Sequence, residues 1–235
     1  MTIHSVCAVQ IPTAMPADLF NELVVHMPND RRERTLRFVK KEDAYRSLFS
    51  EMLIKTQIQK LIGIPIEAIQ MDKNKYGKPY IKGCDNLHFN VSHSGLWVVA
   101  ALSECAVGID IEEKKAFDFL AIGERFFAAE EIQALLHASD QLDYFYLIWT
   151  MKESLIKHVG MGLSLPLNAF SIRTDSENGS FTFYEDECYW FQPYAIHDDY
   201  KMAVCYKDGT GLPPQKVAVL DTGELITSFL NSVRS

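Results

Sequence analysis

Asp110 and Glu112 stand two residues apart in CAVGIDIEEKK (105–115), a run apolar enough to be a strand. Side chains alternate along a strand, so Val107, Ile109 and Ile111 point one way while Gly108, Asp110 and Glu112 point the other. Two carboxylates on one face repel and resist desolvation unless a cation or hydrogen-bond donors compensate them. Such a face belongs in open water or against a metal. Oxygen ligands with no His or Cys nearby suit Mg²⁺, which takes one or two carboxylates plus substrate phosphates and keeps water for the rest. A strand running out into a solvated EEKK turn is the plain alternative. Gly108 counts against it, because it leaves room beside the acids for close approach of a ligand or a backbone.

WTMKESLIK (149–157) sets Glu153 and Lys157 four residues apart in a helical pattern. An exposed ion pair at that spacing contributes only about 0.2–0.5 kcal/mol. Trp149, Ile156 and Gly160 share the Glu153 side, so that face is partly packed and its carboxylate needs a partner. A metal held by the strand acids would be one, and Lys157 would then lie near any phosphate the metal binds. FNVSHSG (89–95) reads as a tight hairpin whose tip, Ser92, His93 and Ser94, offers hydroxyls, an imidazole and backbone amides to phosphate oxygens. A polar hairpin tip with no role looks the same, and no nucleophile-elbow context accompanies it, so a Ser/His hydrolase fits poorly. Cations gather in RRERTLRFVKK (31–41), four Arg and two Lys against one Glu, and DKNKYGKP (72–79) adds three Lys. Arg31, Arg34, Lys41 and Arg46 with Lys78 would make a phosphate site, or a solvated charged face. Neither GxxxxGK[ST] nor GxGxxG occurs, so neither a P-loop nor a Rossmann site is signalled.

Positioning these residues takes a strand and helix framework, and the patterning supplies one. IHSVCAVQI (3–11) reads as a strand and 17–27 as a helix after Pro12 and Pro16. From Asp30 to Ile62 runs one long helical pattern with a break, its apolar stripe Leu36, Tyr45, Leu48, Phe49, Met52, Leu53, Ile58, Leu61 and Ile62, stopped by Gly63 and Pro65. NKYGKPYIKGCD reads as loop, LHFNVS and LWVVAAL as two strands, and AVGIDIE as a third. Helices follow near 118–138 and 141–158, GMGLSLP breaks the pattern, and strands are expected near 168–173, 180–185, 188–195 and 201–206. KVAVLD and a short helix form the tail. Helices first and antiparallel strands afterwards in both halves hint at two similar α+β subdomains meeting near residue 105.

The 235 residues, 48% hydrophobic and 23% charged, are ordinary for a globular protein, and no window approaches the ~20 apolar residues of a spanning helix. No signal-peptide pattern opens the chain, so the cytoplasm is the expected compartment. The cysteines at 7, 84, 105, 188 and 205 lack the spacing of a disulfide framework or a zinc site. A net charge of −8 speaks against nucleic-acid partners, while local basic patches suit a small phosphorylated ligand.

Taken together, GKPY (77–80), FNVSHSG, VGIDIE (107–112), RFF with Glu131 behind it, and WTMKESLIKHVGMGLSLPL (149–167) resemble, in order and spacing, the signature blocks of the 4′-phosphopantetheinyl transferases. From about Arg31 to about Cys205 the chain is similar to the long, single-chain, surfactin-type branch. The resemblance implies an α+β fold of two similar subdomains related by a pseudo-twofold, 1–105 and 106–235, each with helices packed on an antiparallel-rich sheet. It implies a monomer with coenzyme A, the co-substrate, in the cleft between them. Asp110, Glu112 and Glu153 would hold Mg²⁺, or Mn²⁺ in its place. Lys78, Ser92, His93 and Lys157 would contact the phosphates and adenosine, Arg31, Arg34 and Arg46 the 3′-phosphate end, and Ser47 would add a hydroxyl. The surfactin-type sequence has Lys where this chain has Arg31 and Arg34, which keeps the charge and changes reach and donor geometry.

The implied reaction moves phosphopantetheine from coenzyme A to a serine of apo acyl or peptidyl carrier proteins and releases 3′,5′-ADP. Positioning and charge neutralisation by the metal and Lys157 carry such a step, with Glu153, directly or through a metal-bound water, accepting the serine proton as catalytic base. The carrier would dock on 113–130, where Phe117, Phe119, Leu120, Phe126 and Phe127 alternate with charges, although ordinary core helices would claim several of these. Carriers of fatty-acid, polyketide or nonribosomal-peptide synthesis all qualify, and no membrane partner is expected. Two other readings stay open: another Mg²⁺-dependent phosphotransferase or nucleotidyltransferase, and a non-catalytic coenzyme A or carrier-binding module.

Overall fold

The computed structural model describes residues 2–175 and 179–234. The opening alternating run is β1 (Ile3–Gln10), followed by helices α1 (Ala17–Val24), α2 (Asn29–Leu36) and α3 (Lys41–Ile62). A ribbon of β2 (Met71–Lys73) and β3 (Pro79–Ile81) leads into the hairpin β4 (His88–Ser94) and β5 (Trp97–Ser103). The second half repeats the order: β6 (Gly108–Glu113), helices α4 (Phe119–Phe126), α5 (Ala129–His137) and α6 (Gln141–Val159), then β7 (Arg173–Asp175), β8 (Gly179–Tyr184), β9 (Glu187–Tyr194) and β10 (Tyr200–Lys207). In the first sheet β5 lies between β1 and β4, and in the second β10 lies between β6 and β9, all antiparallel. The expected α+β architecture, helices on antiparallel-rich sheets in two like halves, is what the chain adopts.

Burial explains this layering. Leu48, Phe49, Met52 and Leu53 of α3 cover one face of the first sheet, meeting Val9, Phe89, Val98 and Leu102. Met151 and Leu155 of α6 cover the second, against Phe191, Ala203 and Cys205. The remaining faces meet each other: Val6, Val99 and Ala101 pack on Val107, Ile109, Ile111 and Val204. β5 is therefore buried along its whole length, which is why its sequence is a continuous apolar run with no alternation. The same packing turns Gly108, Asp110 and Glu112 away from the first sheet and towards α6.

Several elements differ from expectation. The helical pattern breaks at 37–40, and Leu36, Leu61 and Ile62 are exposed because they fall at helix ends beyond the sheet that α3 covers. NKYGKPYIKGCD is no simple loop, since Pro79–Ile81 within it forms β3 and pairs with β2 just before it. No strand forms over 168–172, where Lys152 Nζ donates to the carbonyls of Leu167 at 2.8 Å and Phe170 at 2.7 Å and curls the chain. The tail leaves the second half: β11 (Ala218–Leu220) joins β1 in parallel and α7 (Thr222–Arg234) packs on α3. A division at 105/106 thus leaves the last strand and helix packed on the first half. Among the described residues no helix is long and apolar enough to cross a membrane, and all five thiols are free.

Lys152 and Glu131 form a fully buried ion pair at 2.8 Å. Glu131 also accepts from the backbone N–H groups of Ala128 at 2.8 Å and Ile172 at 2.7 Å. Lys152→Met should lower stability by about 3–5 kcal/mol, because it leaves the Glu131 charge buried alone. Urea unfolding of Lys152→Met beside the Lys152→Met/Glu131→Gln double variant checks this, the double variant losing less.

Candidate active site

The outer edges of β4 and β6 run side by side although they belong to different sheets. Side chains of β4 bridge them. Asn90 Oδ1 accepts from the Ile109 N–H at 2.8 Å, and Ser94 Oγ accepts from the Glu113 N–H at 3.0 Å. Ser92 Oγ donates to Asp110 Oδ1 and Ser94 Oγ to Glu112 Oε2, both at 2.9 Å. Alternation in the two strands thus brings hydroxyls against the acids. Ser92 and Ser94 are strand residues here, and the hairpin tip is the two-residue turn Gly95 and Leu96.

α6 lies directly over Gly108. A Cβ there would stand 1.8 Å from Ser154 O and 2.6 Å from His158 N. The room that Gly108 leaves is therefore taken by helix backbone, and this close approach lowers Glu153 and Lys157 onto the acids. Lys157 Nζ lies 2.6 Å from Asp110 Oδ1 and 2.7 Å from Ser92 Oγ, so it pairs with the strand acid across the seam.

Asp110 is 2% exposed. Burial raises its carboxyl above the usual aspartate range against the pull of Lys157 and the hydrogen bonds. Burial, helped by the Asp110 charge, pushes Glu112 up to about 7 and raises Glu153 as well. Asp110 Oδ2 is buried without a hydrogen-bond donor. Three carboxylates against one cation, Lys157, with a free buried oxygen on Asp110, are oxygen donors of the kind a hard divalent cation takes, although among the described residues no three such side chains stand close enough to hold one as placed.

These residues line one cleft of about 650 Å³ with Arg31, Arg34, Ser47, Ser92 and His93. Ser47 Oγ is 2.7 Å from the buried Thr35 Oγ1, and the Arg31 guanidinium is tied to Glu51. Two expected ligand contacts fall elsewhere. Arg46 is spent on the Gly95 carbonyl, 2.6 Å away, and on Asp43, so it braces the hairpin turn. Lys78 Nζ donates to the carbonyls of His158 at 2.8 Å and Val107 at 3.2 Å, and burial lowers its pKa to about 8. It ties the α6 end to the start of β6 and borders an adjoining cavity of about 280 Å³ that shares Gly77, Pro79, Glu153 and Lys157 with the cleft. Sequence reasoning missed Phe38, Asp43 and Lys73 in the lining and the bridging role of Asn90. The polar alternation at 90, 92 and 94 was the available signal for the last. In the segment 113–130, Phe117 is 42% exposed, Phe119, Leu120 and Phe126 are partly buried, and Phe127 is core.

His158, on α6 behind Lys157, meets the Tyr189 ring at 5.1 Å. Burial, followed by the charge of Lys78, lowers its pKa from 6.5 to about 3. The neutral form is the folded one, so the unfolded chain takes up the proton first as pH falls below 6.5, and stability declines from there towards pH 3. This group should remove roughly 2 kcal/mol between pH 6.5 and 5. Urea titrations at both pH values should show a smaller loss in His158→Gln.

Two family profiles tile the chain. One described as 4′-phosphopantetheinyl transferase, N-terminal, matches residues 15–105, and the 4′-phosphopantetheinyl transferase superfamily profile matches 106–205. The 4′-phosphopantetheinyl transferase Sfp of Bacillus subtilis (strain 168) is 41% identical over 181 residues, 75% of this chain and 80% of that protein. The 4′-phosphopantetheinyl transferase gsp of Aneurinibacillus migulanus is 34% identical over 241 residues, 97% of this chain and 95% of its own. The human L-aminoadipate-semialdehyde dehydrogenase-phosphopantetheinyl transferase is 30% identical over 219 residues, covering 82% and 71%. The profiles meet where the first half passes into β6, and both halves contribute to the cleft; by this likeness along nearly its whole length, the chain belongs to the 4′-phosphopantetheinyl transferase superfamily and is a transferase.

Proposed function

We propose that this protein transfers the 4′-phosphopantetheine group of coenzyme A to a serine hydroxyl of apo acyl or peptidyl carrier proteins, with Mg²⁺ or Mn²⁺, releasing 3′,5′-ADP. One observation carries the reading: a single cleft holds three carboxylates with Lys157 as their one close cation, and Lys157, Arg31 and Arg34 as phosphate partners. The donor set fits the ion, because Asp110 Oδ2 has no donor of its own. Among the described residues no three His, Cys, Asp or Glu side chains stand close enough together to hold a metal ion, so the three acids would draw together on binding one. Asp110, Glu112 and Glu153 would hold it, and when bound it would neutralise charge on the pyrophosphate oxygens.

The chain's own residues account for the rest. Lys157 uses two of its three N–H donors on Asp110 and Ser92, which leaves one for a phosphate oxygen. The serine oxygen attacks the phosphorus nearer the pantetheine, the bond to the departing 3′,5′-ADP breaks, and Glu153 takes the serine proton. Burial makes Glu153 a stronger base than an ordinary glutamate. Arg31 and Arg34 hold the 3′-phosphate end. Phe117 and the polar residues around it receive the carrier. A single chain lines the whole cleft, which supports a protein that works as a monomer.

Incubation with coenzyme A, Mg²⁺ and a panel of apo carriers from fatty-acid, polyketide and nonribosomal-peptide synthesis tests the reading. A phosphopantetheine mass gain on the carrier serine, abolished by chelator, is expected, and no gain on any carrier would sink it. Glu153→Gln should lower kcat by about 10²–10⁴-fold, and a full rate in that variant would remove Glu153 from the chemistry.

A further inference from the structure

Behind the arginine end of the cleft lies a charge cluster that the transfer step leaves unused. Glu51 on α3 is 0% exposed and Lys55, one turn on, is 5% exposed. Glu51 Oε2 accepts a hydrogen bond from Arg31 Nη1. Lys55 Nζ is 3.0 Å from Glu51 Oε1 but out of hydrogen-bonding alignment, so that oxygen has an ion partner and no donor. Arg31 stands at the wall: it lines the main cleft and also a cavity of about 140 Å³ behind it, which Glu51 and Lys55 share.

A buried carboxylate so close to a ligand-binding arginine has two opposite effects. It fixes the guanidinium, leaving the remaining N–H groups of the fork available to the cleft. It also cancels the guanidinium's charge, which would remove the attraction for an anion. Lys55 resolves this conflict. The three directly linked side chains, one acid and two cations, sum to +1, with Asp30, Asp72 and Lys73 also lining the small cavity, and burial of Glu51 and Lys55 strengthens their interactions. A buried lysine placed only to neutralise Glu51 would be redundant, because Arg31 already does that.

We propose that Glu51 and Lys55 are positioning residues for anion recognition. Glu51 anchors Arg31, and Lys55 offsets the Glu51 charge so that Arg31 meets a phosphate dianion at full strength. Resting on the transferase reading above, this dianion is the 3′-phosphate of coenzyme A, and the cluster sets the preference for coenzyme A over 3′-dephospho-coenzyme A.

Calorimetric titration of both ligands into the full chain tests this. Lys55→Met should reduce the preference about tenfold while the Kd for the dephospho ligand stays within about twofold. Lys55→Arg should keep the wild-type preference. The Glu51→Leu/Lys55→Met double variant leaves neither a buried charge nor an acceptor for Arg31, so it carries the test if Lys55→Met does not fold. There Arg31 keeps its charge and loses its anchor, and the preference should fall by at least about fivefold. A wild-type preference in the double variant overturns the proposal, as does equal weakening of both ligands in Lys55→Met. A wild-type protein that transfers the group while these variants keep its preference overturns this inference alone. A wild-type protein that binds neither ligand overturns the transferase reading with it.

Discussion

Asp110→Asn is expected to lower kcat/KM for carrier modification by about 10³-fold or more while leaving the fold intact. The carboxylate is buried, raised in pKa by that burial, and carries an oxygen without a donor, so its charge is costly to the resting protein. Asparagine keeps an oxygen for the Ser92 hydroxyl and drops the charge. The partner left behind, Lys157, is 28% exposed along its side chain and can rehydrate. The melting temperature should therefore hold or rise as activity disappears, and Glu112→Gln should behave alike with a smaller change in stability. Thermal unfolding and transfer rates on the same samples decide the matter. A variant that unfolds would return Asp110 to a structural role.

Two residues earlier on the same face, Gly108→Ala should do the reverse. The added methyl would stand 1.8 Å from a backbone carbonyl of α6, and backbone cannot rotate aside as a flexible side chain can. Either α6 lifts from β6 or the strand bends, at about 3 kcal/mol or more. Lifting α6 also withdraws Glu153 and Lys157, so ligand affinity should fall together with stability. Urea midpoints measured alongside coenzyme A titration separate this outcome from that of Asp110→Asn, where stability survives and catalysis does not. An alanine variant as stable as wild type would mean that the helix is free to shift.

The strand and helix carrying the acids were legible because their information is local. Alternation puts Asp110 and Glu112 on one face, and the apolar neighbours of Glu153 mark a packed helix side. The cations were less legible for a physical reason. A lysine or arginine in a basic stretch can be claimed by a ligand or by carbonyls of its own chain, and the choice depends on contacts distant in sequence. Lys78 is claimed by Val107 and His158, and Arg46 by Gly95, 49 positions away. Gly108 was ambiguous in the same manner, since a missing side chain signals that something comes close without saying what. The return of β11 to β1 has no local signal either, because a parallel pairing is closed by the whole intervening chain.

The bridged seam has a consequence for solubility as well as for chemistry. β4 and β6 are each the last strand on one side of their sheets, and an open strand edge is a template on which another chain can polymerise. Here each edge shields the other, with Asn90 and Ser94 closing the N–H groups of Ile109 and Glu113 that would otherwise invite a foreign strand. Because this closure is made by side chains, the polar groups at the cleft floor also guard the protein against edge-to-edge aggregation.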